Sequence, residues 1–450
     1  MHTPTYDKTS TDITARVANF IGRHHLLSPG AKVIIGLSGG PDSVCLTLML
    51  HEMGYDLTGV HCNFHLRGEE SMRDERFVRD FCQKLNIPLH KADFDTAQYA
   101  KDHKLSIEMA ARELRYDLFR RLKAELNAEA IAVGHHQDDN VETLMLNMVR
   151  GAGIKGTCGM QPVNGDIIRP LLCLRRHEIL DFLAARQQDY VTDHTNLEDE
   201  YARNKVRLNI VPQLEAINPR AVDNMSITMD NLREVYNIYI WWMEQVRQRC
   251  CSLLPTGDMR IDIPQLLSLP SPLSALHELL SPACLSRADI SSLLYICQQA
   301  TLPYQCESNS RTLSGKVFGQ EGRRVIVDRD CLLLEAEQYT QPTICHTVHP
   351  ISEVHIVKDP HLAYLDADKL SGQLTVRTPM PGDTFAPFGM GGRRKLLSDY
   401  MTDQKMNLFE KERQLLLVDG DEIAWVVGRR GSEKYRVDAN TKRVVVASCQ

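Results

Sequence analysis

Ser38-Gly39-Gly40-Pro41-Asp42-Ser43 is the stretch of this chain best equipped for chemistry. Two adjacent glycines let the backbone turn tightly and bring its N–H groups to a ligand. Ser38 and Ser43 add hydroxyls, and Asp42 adds an acid. Val33, Ile34 and Ile35 before the loop are β-branched and read as a buried strand, and Val44–Met53 after it reads as an apolar helix. Strand, glycine loop and helix N-terminus together make an anion site suited to phosphate. An ordinary βα turn capped by Ser or Asp explains the glycines but not serine on both flanks. No Gly-Lys-Ser/Thr follows, and the later Gly315-Lys316 runs into Val317, so this is not a Walker loop. The glycine spacing also differs from the dinucleotide fingerprint. A loop that grips pyrophosphate without a lysine of its own suits pyrophosphate as a leaving group, with the AMP moiety going elsewhere.

Other polar clusters fall at the ends of expected strands, where open α/β sheets bind ligands. Leu57–Cys62 reads as a strand and delivers His61, Asn63, His65 and Arg67. Ser106–Leu122 reads as an amphipathic helix capped by Ser106, with Arg112, Arg115 and Tyr116 within about one turn. Ala130–Gly134 reads as a strand leading to His135, His136, Asp138, Asp139 and Thr143. Sequence neighbours rarely converge on one zinc ion, so this cluster reads better as the polar opening of a helix whose carboxylate holds Mg²⁺ between nucleotide oxygens. Gly151, Gly153 and Gly156 suggest a flexible loop. Arg203, Lys205 and Arg207 could meet phosphate or RNA, or lie on a solvated helix face.

These residues need a scaffold, and alternating βα units over about 30–215 predict a mainly parallel sheet covered by helices. Ile167–Leu172 reads as a short strand, Val222–Leu253 as a long helix with Trp241 and Trp242 as packing anchors, Arg311–Glu335 as strands, and Pro342–Pro350 as a linker. The last hundred residues are strand-rich and carry a second glycine loop, Gly389-Met390-Gly391-Gly392, followed by Arg393, Arg394 and Lys395. That loop reads as a phosphate-backbone contact. Net charge over 450 residues is −6, yet Arg377–Arg443 holds 13 Lys/Arg against 10 Asp/Glu, so a polyanion partner would meet a local patch. No apolar run is long enough to span a bilayer, and the 13 cysteines include no CxxC pair, which predicts reduced thiols in a cytoplasm.

The loop resembles that of the ATP pyrophosphatase (PP-loop) superfamily. The ordered set is more specific. HCNFHLRGEES at 61–71, EMAARELRY at 108–116, GHHQDDNVET at 134–143, IRPLL at 168–172, RNKVRLNIVP at 203–212, and the late PGDTF, FGMGGRRKLLSDY and DEIAWVVGRR resemble the tRNA(Ile)-lysidine synthases nearly end to end. Lys205 stands where Arg is common in that family, and Thr195-Asn196 where Ser-Asn is common.

The resemblance implies an α/β fold with a Rossmann-like, adenine nucleotide α-hydrolase-like sheet in an ATP-binding domain at 1–215. A helical middle domain at 216–345 and a small α+β tRNA-binding domain at 346–450 would follow. It implies adenylation of the C2 oxygen of the wobble cytidine in a CAU-anticodon isoleucine tRNA, then attack by the ε-amine of free L-lysine. A PP-loop tRNA thiolase is the alternative, and a homodimer is left open. Ser38, Gly39, Gly40, Pro41, Asp42 and Ser43 would bind ATP, and Asp42 or Asp139 would hold Mg²⁺. Asp42, Asp139 and Arg112 would be catalytic. His65, Arg67, Arg112, Arg115, His136, Asp138, Thr143, Arg203, Asn204 and Arg207, with Arg393, Arg394 and Lys395, would contact substrate or tRNA. Lysine's reference pKa near 10.4 puts roughly 4.6 kcal/mol between it and its reactive neutral form at pH 7. The site must therefore take a proton, for which Asp138 or Asp139 is the expected acceptor.

Overall fold

Three consecutive β-branched residues, Val33, Ile34 and Ile35, are fully buried in a computed structural model that describes residues 8–66, 68–192, 202–300, 315–320 and 322–449. They form strand β1 (Lys32–Gly36). Successive side chains point to opposite faces. Val33 and Ile35 pack with Val17, Leu46 and Phe182, while Ile34 packs with Phe119, Leu122 and Ile131. A strand buried on both faces has to be apolar throughout, which is why this stretch is continuous rather than alternating.

β1 is the third of six strands in the order β3-β2-β1-β4-β6-β5. The others are β2 (Asp56–Asn63), β3 (Leu89–Asp93), β4 (Ala130–Ala132), β5 (Val163–Asn164) and β6 (Ile167–Ile168). All pair in parallel except β5 with β6. The chain runs outward from β1 through β2 to β3 and then crosses to β4 on the other side of β1. The carboxyl ends of β1 and β4 therefore flank a topological switch point, where such sheets bind ligands. Helices α1 (Lys8–Arg23), α2 (Pro41–Glu52), α3 (Glu69–Leu85), α4 (Thr96–His103), α5 (Ile107–Leu126), α6 (Gln137–Val149), α7 (Ile154–Thr157) and α8 (Arg176–Ala185) accompany the sheet. The Ser106 side chain accepts from Met109 N–H and caps α5. The stretch Ile167–Leu172 is not all strand: β6 ends at Ile168, and Pro170–Cys173 forms a 3₁₀ turn because proline cannot donate to the ladder.

The chain divides into two compact units, residues 1–239 and 240–450. After α9 (Ala202–Lys205), a π turn and α10 (Val211–Ile217) comes the 30-residue helix α11 (Ala221–Cys250). Trp241 is 66% exposed, so it does not act as the packing anchor its type suggested. The second unit has a five-stranded antiparallel sheet between residues 251 and 334, accompanied by helices Ile263–Leu267, Pro272–Leu279 and Arg287–Ala300. A three-stranded and a four-stranded antiparallel sheet follow, around Trp425, Tyr435 and Leu417. Pro342–Pro350 proves not to be a linker: Ile344–Pro350 pairs along its whole length with Arg443–Cys449. Its side chains are mostly exposed, so no buried face imposed a period on its sequence.

Candidate active site

The glycine loop lies between β1 and α2 at the switch point. Gly39 has φ +88° and packs against Val78 and Val191, so only glycine takes the turn without strain. The Ser38 and Ser43 hydroxyls approach to 3.2 Å, Gly40 N–H donates to Ser38 Oγ at 3.3 Å, and Ser43 Oγ donates to Gly40 O at 3.0 Å. Buried His61, at the end of β2, bonds through Nδ1 to Leu37 O at 2.8 Å and steadies the loop from the neighbouring strand. Gly134, just past β4, lets the two strand ends come together. A Cβ there would lie 2.9 Å from the Asp42 carbonyl carbon and 3.0 Å from Ser43 N.

His136, the N-cap of α6, is 1% exposed and sits among three acids. Its Nε2 is 3.7 Å from Asp42 Oδ1 and 3.5 Å from Asp139 Oδ2, and its Nδ1 is 3.5 Å from Asp138 Oδ2. In its neutral form the ring accepts from Asp139 N–H at 3.4 Å, and Asp139 Oδ2 accepts from His136 N–H at 3.0 Å, closing a capping box. Burial opposes charge on His136, but Asp139, Asp138 and Asp42 outweigh it and hold its pKa above the ordinary value. For His135, burial outweighs the pull of Asp139 and, with Arg169, Arg203 and Arg112 nearby, lowers it to about 4.

The three acids differ in what they have left to offer. Asp139 Oδ1 takes Arg203 at 2.8 Å, while Asp138 takes Arg176 N–H at 2.8 Å and Arg175 Nε at 3.1 Å. Burial opposes the charge on both, yet these partners and His136 hold both carboxyls below the usual range. Asp42 is the reverse case: burial pushes its carboxyl up against the pull of His136, and its Oδ1 is buried without a hydrogen-bond partner. An open, buried carboxylate oxygen beside a phosphate loop fits Mg²⁺, which usually takes one or two carboxylates and completes its shell with phosphate oxygens and water. Among the described residues no three His, Cys, Asp or Glu side chains are grouped to hold a metal by themselves. Asp139, whose oxygens are both engaged, is less available than Asp42.

Ser38, Asp42, Ser43 and His135 line a cavity of about 240 Å³ together with Arg112, Arg115, Tyr116 and Phe64. The Arg112 guanidinium lies 5.0 Å from the Tyr116 ring centroid, and among the described residues it has no carboxylate partner. α5 thus brings two cations to the cavity that the phosphate loop also lines.

Two models of protein families match this chain: a PP-loop domain over residues 9–214 and a TilS substrate C-terminal domain over residues 374–447. A tRNA(Ile)-lysidine synthase from Bacteroides thetaiotaomicron is 44% identical over 96% of this chain and 99% of its own. The chain belongs to the tRNA(Ile)-lysidine synthase family. A tRNA(Ile)-lysidine synthase from Parabacteroides distasonis is 43% identical over 95% of this chain and 98% of its own. Among solved structures, a U34-tRNA thiolase from Methanococcus maripaludis covers 50% of this chain and 80% of its own at 20% identity and a TM-score of 0.44, too loose a likeness to bear on the reaction.

In this member of the lysidine synthase family the expected residues do not all converge. His65 pairs with Asp93 at 2.9 Å and lines a neighbouring cavity. The Thr143 hydroxyl donates to Asp139 O at 2.9 Å, within its own helix. Arg203 and Arg207 both reach Glu142 at 2.6 Å, and half-buried Asn204 lies between them on α9. Arg67 and the Asp193–Asn196 stretch lie outside the described residues. In the second unit, Arg394 binds Glu422 at 3.1 Å and Thr384 Oγ1 at 2.9 Å, Lys395 pairs with Asp403, and Arg393 is exposed. Sequence reasoning missed Glu142, Arg175 and Gly134. Glu142 stands three residues after Asp139, on the same helix face, which is a readable signal. Arg175 reaches Asp138 from 37 positions away and gave none.

Proposed function

We propose that this enzyme joins free L-lysine to C2 of the wobble cytidine in a CAU-anticodon isoleucine tRNA, using ATP, in the cytoplasm. The observation that carries this is one cavity lined by the phosphate loop, by Asp42, whose Oδ1 has no hydrogen-bond partner, and by Arg112. Three parts would share the work: an ATP-binding domain at 1–215, a middle domain at 216–345 and a tRNA-holding domain at 346–450.

Ser38, Gly39, Gly40, Pro41 and Ser43, with the N-terminus of α2, would hold the pyrophosphate end of ATP. The cytidine C2 oxygen attacks the α-phosphorus, and the bond to pyrophosphate breaks. Mg²⁺, when bound, screens the charge on the leaving pyrophosphate, and Asp42 would hold it. Arg112 would neutralise charge on the α-phosphoryl group. The lysine ε-amine then attacks C2, AMP leaves with the former C2 oxygen, and the amine gives up a proton. Asp138 and Asp139 are poorly suited to take it, since cations and backbone N–H groups hold both as carboxylates. Asp42 would be free for that task once pyrophosphate has left with Mg²⁺, and its Oδ1, which has no hydrogen-bond partner, then suits it better. Asp139, Arg203, Arg207 and Glu142 would position α6 and the face it turns to the substrates.

Thiolase chemistry finds less support. Cys62 lines the cavity, but burial pushes its thiol up to about 11, and buried Cys45 is pushed up as well. The test supplies ATP, Mg²⁺, labelled lysine and the unmodified tRNA. Lysine-dependent label on the tRNA, lost in Asp42→Ala, is the expected result. AMP release without lysine incorporation would move the nucleophile to sulfur or ammonia, and no ATP turnover would leave a binding protein.

A further inference from the structure

A second cavity, of about 370 Å³, adjoins the first and shares Phe64 with it. Phe64 and Phe94 form its aromatic wall, stacked with centroids 5.6 Å apart and planes 20° apart. Arg115 lies 5.3 Å from the Phe64 centroid, lines the first cavity and has no carboxylate partner among the described residues. Two acids complete the rim. Asp93 is already matched by His65 at 2.9 Å and Lys91 at 3.1 Å. Asp95 is not: its Oδ1 accepts Gln98 N–H at 3.0 Å as the cap of α4, and its Oδ2 has no partner among the described residues.

Aromatic walls hold unpaired bases of single-stranded RNA, and a cation beside them suits the phosphate joining two nucleotides. A carboxylate only accepts, so it favours a base edge carrying an exocyclic amine and repels one carrying a carbonyl oxygen. We propose that this cavity binds the adenine that follows the wobble cytidine in the CAU anticodon, stacking it on Phe94 and Phe64 while Asp95 accepts from its N6 amine. Arg115 then holds the phosphate between the two nucleotides. This rests on the lysine-ligation reading for the identity of the RNA, and it adds a second base subsite with its own selectivity.

The test uses the full chain and anticodon stem–loop RNAs. With 2-aminopurine in place of the adenine, which keeps the ring for stacking but lacks the N6 amine, saturating protein should change its fluorescence through stacking, and Phe94→Ala should abolish the change. With inosine in place of the adenine, the wild-type protein should bind about tenfold more weakly. Asp95→Asn presents an amide N–H to the inosine carbonyl and still caps α4, since Asn caps as well as Asp. It should therefore weaken adenine RNA, strengthen inosine RNA and leave the melting temperature unchanged. Unchanged 2-aminopurine fluorescence on binding would overturn the proposal, as would equal loss for both RNAs in Asp95→Asn. These readouts need only binding, so failure of lysine incorporation with every RNA would count against the reaction and not against the subsite.

Discussion

Two glycine loops in this protein look alike as sequence and differ as structures. Ser38–Ser43 and Gly389–Lys395 each place glycines before a helix, and each reads as a phosphate contact. The first lies at the switch point of a parallel sheet, with Asp42 Oδ1, His135 Nδ1 and His136 Nε2 all buried without a hydrogen-bond partner. Such groups cost free energy until a ligand or ion meets them. The second lies exposed before a seven-residue helix, and two of its three cations are already matched, Arg394 by Glu422 and Lys395 by Asp403. A glycine loop thus becomes a binding site where the fold leaves its polar neighbours unsatisfied, not merely where glycine and charge adjoin.

Asp42→Asn should sharpen this contrast most. ATP turnover should fall roughly 10²–10³-fold, the scale of losing one preorganised charge-stabilising group. Arg394→Gln should change turnover by less than about twofold, since exposed ion pairs contribute only about 0–1 kcal/mol. Equal losses in a pyrophosphate-release assay would erase the difference between the loops.

Next comes pH. His135 titrates at about 4 in the fold against an ordinary 6.5, so on acidification the unfolded chain takes the proton first. Its contribution to stability is intact above pH 6.5 and declines to a loss of about 3 kcal/mol once the pH reaches about 4. His135→Asn should remove that component. Denaturant midpoints at pH 7 and pH 5 check it, and parallel losses in both proteins would show that His135 is not the source.

Gly134→Ala should cost about 1–3 kcal/mol, because its Cβ meets the backbone of Asp42 and Ser43 rather than a yielding side chain. A thermal melt with and without ATP should show lower stability and a smaller ligand-induced rise. The smallest effect falls in the second loop. Arg393→Gln should reduce the salt slope of tRNA binding by about 1, the effect of one lost phosphate contact. Arg394→Gln should leave the slope unchanged, and a reversed order would mean that the Glu422 pair opens on binding.

Much of the first unit is legible in its sequence because periodic burial forces the pattern. A strand covered on both faces must be apolar throughout, as Val33–Ile35 is, and Ser106 marks its helix start by offering the side-chain oxygen that the first turn lacks. The second unit is less legible where exposure removes the constraint. Ile344–Pro350 is a mostly exposed strand that no periodicity announces, and Trp241 is surface despite its type.

The division between sequence and tertiary structure is clearest at the active site. The sequence by itself determined the phosphate loop, the parallel sheet beneath it and the ordered motifs of the lysidine synthase family, because glycine conformation, burial and residue type are local properties. It did not determine which carboxylate is open. Asp42, Asp138 and Asp139 are equivalent as residues, and only folding brings Arg203 to Asp139 and Arg175 to Asp138 while leaving Asp42 Oδ1 buried without a hydrogen bond. Charge availability depends on partners 37 and 64 positions away, and that is information the tertiary structure alone holds.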